Sequence, residues 1–163
     1  MTDVNSPRLS SDLRSYLTRE IVVSVVINLA FAAFFTTLIF SGGNFKLWGP
    51  GGLALDFLPA TFIPVFGMTA GITWISRKRL RAGALRALVE EPIPLPKNIF
   101  LRGLLFGVAA TIVLGLLGFG ALMLIWSPQL TFKGLLSFKL IYGAAIGVFV
   151  TPLIILAVLR ERA

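Results

Sequence analysis

The feature that most constrains this chain is a set of four long apolar windows, at roughly 20–41, 53–76, 102–126 and 135–159. Each is close to the ~20 residues that a helix needs to cross hydrocarbon. No water reaches a backbone there, so each segment must satisfy its own N–H and C=O groups, and a helix does so. Across the 163 residues, 56% are hydrophobic and 13% are charged. A soluble domain carries about 25% charge, so composition also directs the chain into a bilayer. The reading is an all-α polytopic membrane protein: four transmembrane helices as two in-out-in hairpins, with short amphipathic interfacial helices.

Charge sets the expected orientation. The formal charge is +8, but the basic residues flank the apolar windows instead of forming a nucleic-acid patch. Arg8, Arg14 and Arg19 precede the first window, seven basic residues lie around the linker between the second and third, and Arg160 and Arg162 close the chain. Only Lys46, Lys133 and Lys139 fall on the other side. The positive-inside rule then predicts a multi-pass protein of the plasma (inner) membrane with both termini cytoplasmic, its partners lipids and not nucleic acid.

Four segments follow. Residues 1–19 form a cytoplasmic N-terminal tail and interfacial helix, with Ser11-Asp12 as N-cap and Leu13, Tyr16 and Leu17 at helical spacing. Ala30-Phe31-Ala32 resembles a signal-peptide cleavage site, but the apolar run continues through Phe40, which favours a retained anchor. Residues 20–76 are the first hairpin and 102–163 the second. Between them, 77–101 is a basic amphipathic cytoplasmic linker. There Leu80, Ala84, Leu85, Leu88 and Val89 alternate with Arg79, Arg81 and Arg86 before a stiff Pro-rich connector ending at Pro96.

Small residues recur every fourth position in two windows: Gly103, Gly107, Thr111 and Gly115 in the third, Gly143, Gly147 and Thr151 in the fourth. Lipid is as apolar as leucine, so helices associate in it where small residues let backbones approach. These stripes are expected to face each other or a second copy of the chain. In the first window Glu20, Ser24, Asn28, Ala32 and Thr36 form a polar seam, and the mid-span amide of Asn28 calls for an interhelical bond. The second window holds Pro59 and Pro64, which predict a kink whose freed carbonyls neighbouring helices or hydroxyls such as Thr61 and Thr69 would satisfy.

Sliding the chain by 83 residues places Arg19 on Arg102, Arg77 on Arg160 and Asp56 on Lys139. A parallel internal repeat of that kind is one way transporters are built. Asp56 and Lys139 each lie 21 residues before a matching arginine and so at similar depth. They pair, or each reaches interfacial water by itself.

The chain has no Cys and no His, which removes thiolate and imidazole chemistry, and no cofactor or metal is expected. Its interior carboxylates, Asp56 and Glu20, fall at opposite ends of their spans, and Ser137 faces away from Lys139, so an enzyme is not expected. Two functions fit. One is a non-catalytic packing, accessory or assembly subunit acting through the glycine stripes, as a homo-oligomer or in a larger membrane complex. The other is a small homo-oligomeric transporter or channel with a polar site involving Asn28, Asp56 and Lys139.

Overall fold

A computed structural model describes residues 7–42, 45–49, 52–85, 94–125 and 130–161, and every regular element among them is helical. α1 runs Pro7–Phe40, α2 Leu53–Arg81, α3 Ile99–Ala110, α4 Leu116–Ile125 and α5 Phe132–Leu159, with a π-helical turn at Thr111–Gly115 joining α3 to α4. Four stretches are long and apolar enough to span a membrane: Leu13–Phe40, Leu53–Arg81, Ile99–Ile125 and Phe132–Leu159.

The interfacial helix expected before the first span is a continuation of it. α1 is one helix of 34 residues, already under way at Pro7, so Ser11-Asp12 does not cap it. At about 1.5 Å per residue it is about 51 Å long, well beyond a hydrocarbon core of about 30 Å. The linker helix expected over 79–89 is covered up to Arg81 by the end of α2, and 86–93 lie outside the described residues. Two caps set helix starts that the windows placed three residues later. The Asn98 side chain accepts from Phe100 and Leu101 N–H at the head of α3, and Thr131 accepts from Gly134 N–H at the head of α5.

The closest packing does not join the two spans of either expected hairpin. α1 lies along α5, α3 lies along α2, and α2 and α5 meet in the middle. Both glycine stripes are used inside the chain, and they do not face each other. A Cβ at Gly143 would sit 3.2 Å from the Asn28 carbonyl oxygen, and one at Gly147 would sit 3.0 Å from both Cα and N of Val25, so α5 touches the backbone of α1. Gly103 and Gly107 receive the rings of Phe66 and Phe62 from α2.

The π-turn keeps the α3 stripe on one face. Steps of four residues overshoot a 3.6-residue turn by about 40°, so three steps from Gly103 to Gly115 drift by about 120°. A π-turn takes up one extra residue, about 100°, and cancels most of that drift. Gly103, Gly107 and Gly115 accordingly all meet α2, the last beside Thr61 and Phe57. The Thr111 hydroxyl donates to the Gly107 carbonyl at 2.7 Å within the same region.

α2 is continuous through both prolines. Thr61 and Thr69 donate to the carbonyls of Phe57 and Val65, each four residues back, at 2.8 and 2.7 Å. The carbonyls that Pro59 and Pro64 deprive of a donor are those of Leu55 and Ala60, so these hydroxyls do not compensate the prolines as expected. A threonine reaches its own i−4 carbonyl, and neither is placed four residues after a freed one.

These contacts rank the glycines. Of Gly107, Gly120 and Gly147, Gly147→Ala should destabilise most, by about 1–3 kcal/mol, because it meets backbone that cannot step aside. Gly107→Ala meets only the edge of the Phe62 ring and should cost less. Gly120→Ala, with open space around it, should be neutral or slightly stabilising. Thermal unfolding in a mild detergent reads the order; equal tolerance of Gly147→Ala and Gly120→Ala would show that α1 and α5 do not approach this closely.

Candidate functional site

The polar seam of α1 faces inward. Glu20, Ser24, Asn28 and Thr36 are buried at four-residue spacing, while Val22, Val26, Phe34 and Leu38 on the opposite face are exposed. Asn28 donates through Nδ2 to the Ser24 carbonyl at 2.8 Å and to the Met68 sulfur at 3.3 Å, and the Thr151 hydroxyl reaches the same sulfur from α5 at 3.8 Å. One polarizable atom of α2 thus receives a polar hydrogen from each of α1 and α5.

At the end of the bundle that carries the 41–52 segment, the Asp56 carboxylate and the Lys139 ammonium are in contact. Both groups are largely shielded, with 13% and 5% of the side chain exposed, so Lys139 is turned to Asp56 and not outward to water. The ammonium also lies 4.9 Å from the Phe57 ring centroid and 5.7 Å from that of Phe40. Carboxylate and π-faces together compensate a cation that would otherwise be costly here.

Between these two levels α1 and α2 part. Phe40 packs with Leu53 and Phe57 at one end, and Asn28 meets Met68 at mid-span. The gap between them is a crevice of about 170 Å³ floored by α5. Asn28, Asp56 and Lys139, the three polar residues singled out in the sequence, all line it, together with Thr36 and Tyr142. Its rim carries Phe31, Phe35, Ile39 and Ile63, all exposed, so the crevice opens sideways through the face that a bilayer would cover. A polar head inside apolar walls is the usual make-up of a small-molecule site.

Tyr142 was not picked out from the sequence. Its signal was its place three residues after Lys139 on one helix face, carrying a hydroxyl that needs a partner wherever the ring is buried. The partner is Thr61, at 2.6 Å. The residues of the glycine stripes do not line the crevice, apart from Gly143, whose missing side chain leaves room for it.

A second polar cluster closes the opposite end. Glu161 accepts from Arg77 at 2.9 and 3.1 Å and contacts the guanidinium of Arg102, which is fully buried. Arg77 also donates to the Lys97 carbonyl at 2.7 Å, and Arg102 donates to the Pro96 carbonyl at 3.2 Å. Nearby, Tyr16 bonds Ser76 at 2.7 Å under the guanidinium of Arg79, which lies 4.0 Å from Glu20. The sequence marked these arginines only as flanking charge. The overlooked signal was Glu161, an acidic residue set between Arg160 and Arg162 at the end of a span.

The Asp56–Lys139 contact has an energetic signature. Removing one member of a buried pair strands the other charge and costs about 3–5 kcal/mol, whereas removing both leaves no orphan. Asp56→Asn and Lys139→Gln should each lower stability strongly, and the double variant should cost less than the sum of the two. Additive losses in detergent unfolding would mean that the two groups act independently.

Compared with known proteins, the chain matches no family model, no curated sequence and no solved structure.

Proposed function

We propose that this is a small membrane transporter whose working site is the crevice between α1, α2 and α5, and that it binds an amphipathic small molecule there. The observation that carries the reading is the convergence of Asn28, Asp56 and Lys139 on one laterally open cavity. Polar and ionisable groups within a span are expensive, and where they gather around a cavity they mark binding sites and pathways. A cavity of 150 Å³ takes benzene, so one of about 170 Å³ takes a headgroup and the first carbons behind it. The remainder of an amphipathic molecule then lies in the lipid beyond the rim.

An assembly role is the second reading. The stripes that first pointed to it are covered by the chain's own helices, but Gly67 and Gly71 on the outer side of α2 have nothing within 4 Å of a Cβ. They form an open small-residue pair against which a partner helix or a second copy can pack.

One experiment separates the two. In proteoliposomes loaded with a fluorescent single-chain amphiphile, the transport reading expects transbilayer movement several-fold above empty liposomes, reduced at least five-fold by Ala60→Phe, which fills the crevice. No movement, together with co-purification of a larger complex that Gly67→Ile disrupts, would replace transport with assembly.

The charge asymmetry supports a further assignment, that both termini face the cytoplasm across the plasma membrane and that Lys46 and Lys133 lie outside. Reporter fusions at Ala163 and near Asn44 should then give opposite readings. Matching readings would overturn this topology.

A further inference from the structure

On the premise that the crevice binds a ligand as proposed above, the groups around it select which kind. Apart from those of Lys139 and Thr36, its hydrogen-bond donors are already spent. Asn28 directs its Nδ2 hydrogens to the Ser24 carbonyl and the Met68 sulfur, and a carbonyl can only accept, so the amide oxygen is what Asn28 offers to the crevice. Thr61 gives its proton to the Phe57 carbonyl. In the contact between Thr61 and Tyr142 the tyrosine must therefore be the donor, and its oxygen too is left with accepting capacity. Pro64 has no N–H, so the Ala60 carbonyl, one turn back on the same wall, lacks its helical donor. Asp56 adds a carboxylate, and Thr36 a hydroxyl able to play either part.

Aromatic faces complete the surroundings. Phe31 and Phe35 stack 5.8 Å apart along the α1 rim. Apart from the ammonium of Lys139 and the hydroxyl of Thr36, the crevice presents acceptors and π-surfaces, which suit a cation better than an anion. Lys139 itself demonstrates the fit, since its ammonium rests on Asp56 between the rings of Phe57 and Phe40.

We infer that the crevice takes a lipophilic amine, whose ammonium head exchanges with Lys139 on Asp56 and whose apolar body passes Phe31 and Phe35 into the lipid. Lys139 is the tethered occupant that holds the place when no ligand is bound. Once displaced, its four-carbon stem can turn toward the start of α5 at Phe132, seven residues or about 10 Å away along the helix.

The test uses three probes with the same chain, dodecylammonium, dodecanol and laurate, binding at neutral pH to the full-length protein in lipid nanodiscs, with empty nanodiscs as the partition blank. Dodecylammonium should bind saturably and at least ten-fold more tightly than the other two. Ala60→Phe should abolish that binding. The Asp56→Asn/Lys139→Met double variant, which removes both charges and strands neither, should lose the preference for the amine. If laurate or dodecanol binds as tightly as dodecylammonium and Ala60→Phe removes it, the crevice stands as a binding site and the amine inference is overturned. If no probe shows saturable binding sensitive to Ala60→Phe, both the inference and the site fall. Undiminished amine preference in the double variant also overturns the inference. Should that variant not fold, the three-probe comparison on the unmodified chain decides alone.

Discussion

Two ion pairs of opposite polarity hold α2 to α5. Asp56 meets Lys139 at one end and Arg77 meets Glu161, two residues past the end of α5, at the other, so each segment contributes an acid at one level and a base at the other. A charge within or at the edge of hydrocarbon needs its partner, which makes these contacts a constraint on register and not only on proximity. The separations along the chain are 21 residues within α2 and 22 from Lys139 to Glu161, of which 20 lie within α5. At 1.5 Å per residue the helical parts are about 32 and 30 Å, so both pairs close in the same alignment. A slide of one turn, about 5.4 Å, would break both at once.

The other helices take their places from this central pair. α1 packs on α5 through Gly143 and Gly147, and α3 packs on α2 through Gly103 and Gly107. The two contacts differ in kind. On α5 the glycines admit the backbone of α1, while on α3 they admit phenylalanine rings from α2, with the Phe66 carbonyl oxygen also 3.3 Å from a Cβ at Gly103. Backbone contact brings α1 close enough for its buried seam to reach Met68 across the bundle. The remaining surface of α3 and the π-turn, including Leu104, Leu105, Ile112 and Val113, is exposed to the surroundings.

Much of this was legible in the sequence, for physical reasons. Window length and apolarity identify spans because a bilayer has a fixed thickness, and four spanning helices are found. The inward face of α1 could be read because Glu20, Ser24, Asn28 and Thr36 are costly in lipid and must turn toward protein. Equal depth for Asp56 and Lys139 followed from counting residues to matching arginines. What a glycine stripe packs against was not legible, since small side chains define a close approach without naming the partner. The Thr61–Tyr142 bond and the Glu161 cluster join residues 81 and 84 positions apart, so no local pattern encodes them. The π-turn also escaped, because four-residue spacing does not by itself mark one: the seam of α1 keeps that spacing over four steps on an uninterrupted α-helix.

The 83-residue offset bears on why the crevice lies where it does. The α5 residues Lys139, Tyr142, Gly143 and Ile146 line it, and the residues 83 positions earlier, Asp56, Pro59, Ala60 and Ile63, line it from α2. The two central helices therefore present corresponding faces to the same space. Exchanging the halves also carries the α1–α5 contact onto the α3–α2 contact, so the packing pattern maps onto itself. The symmetry fails in two places. With identical halves, like charge would meet like at the level of Asp56 and Lys139, and neither could stay ionised there at low cost. Opposite charges turn that clash into the pair on which the register depends. On the α4 side the corresponding space is taken by the Tyr142 ring against Gly118, edge-on to Phe57. On the α1 side Ala32, Ala60 and Gly143 supply too little side chain to fill it. One of two equivalent gaps is therefore packed and the other left open, with its charged head already in place.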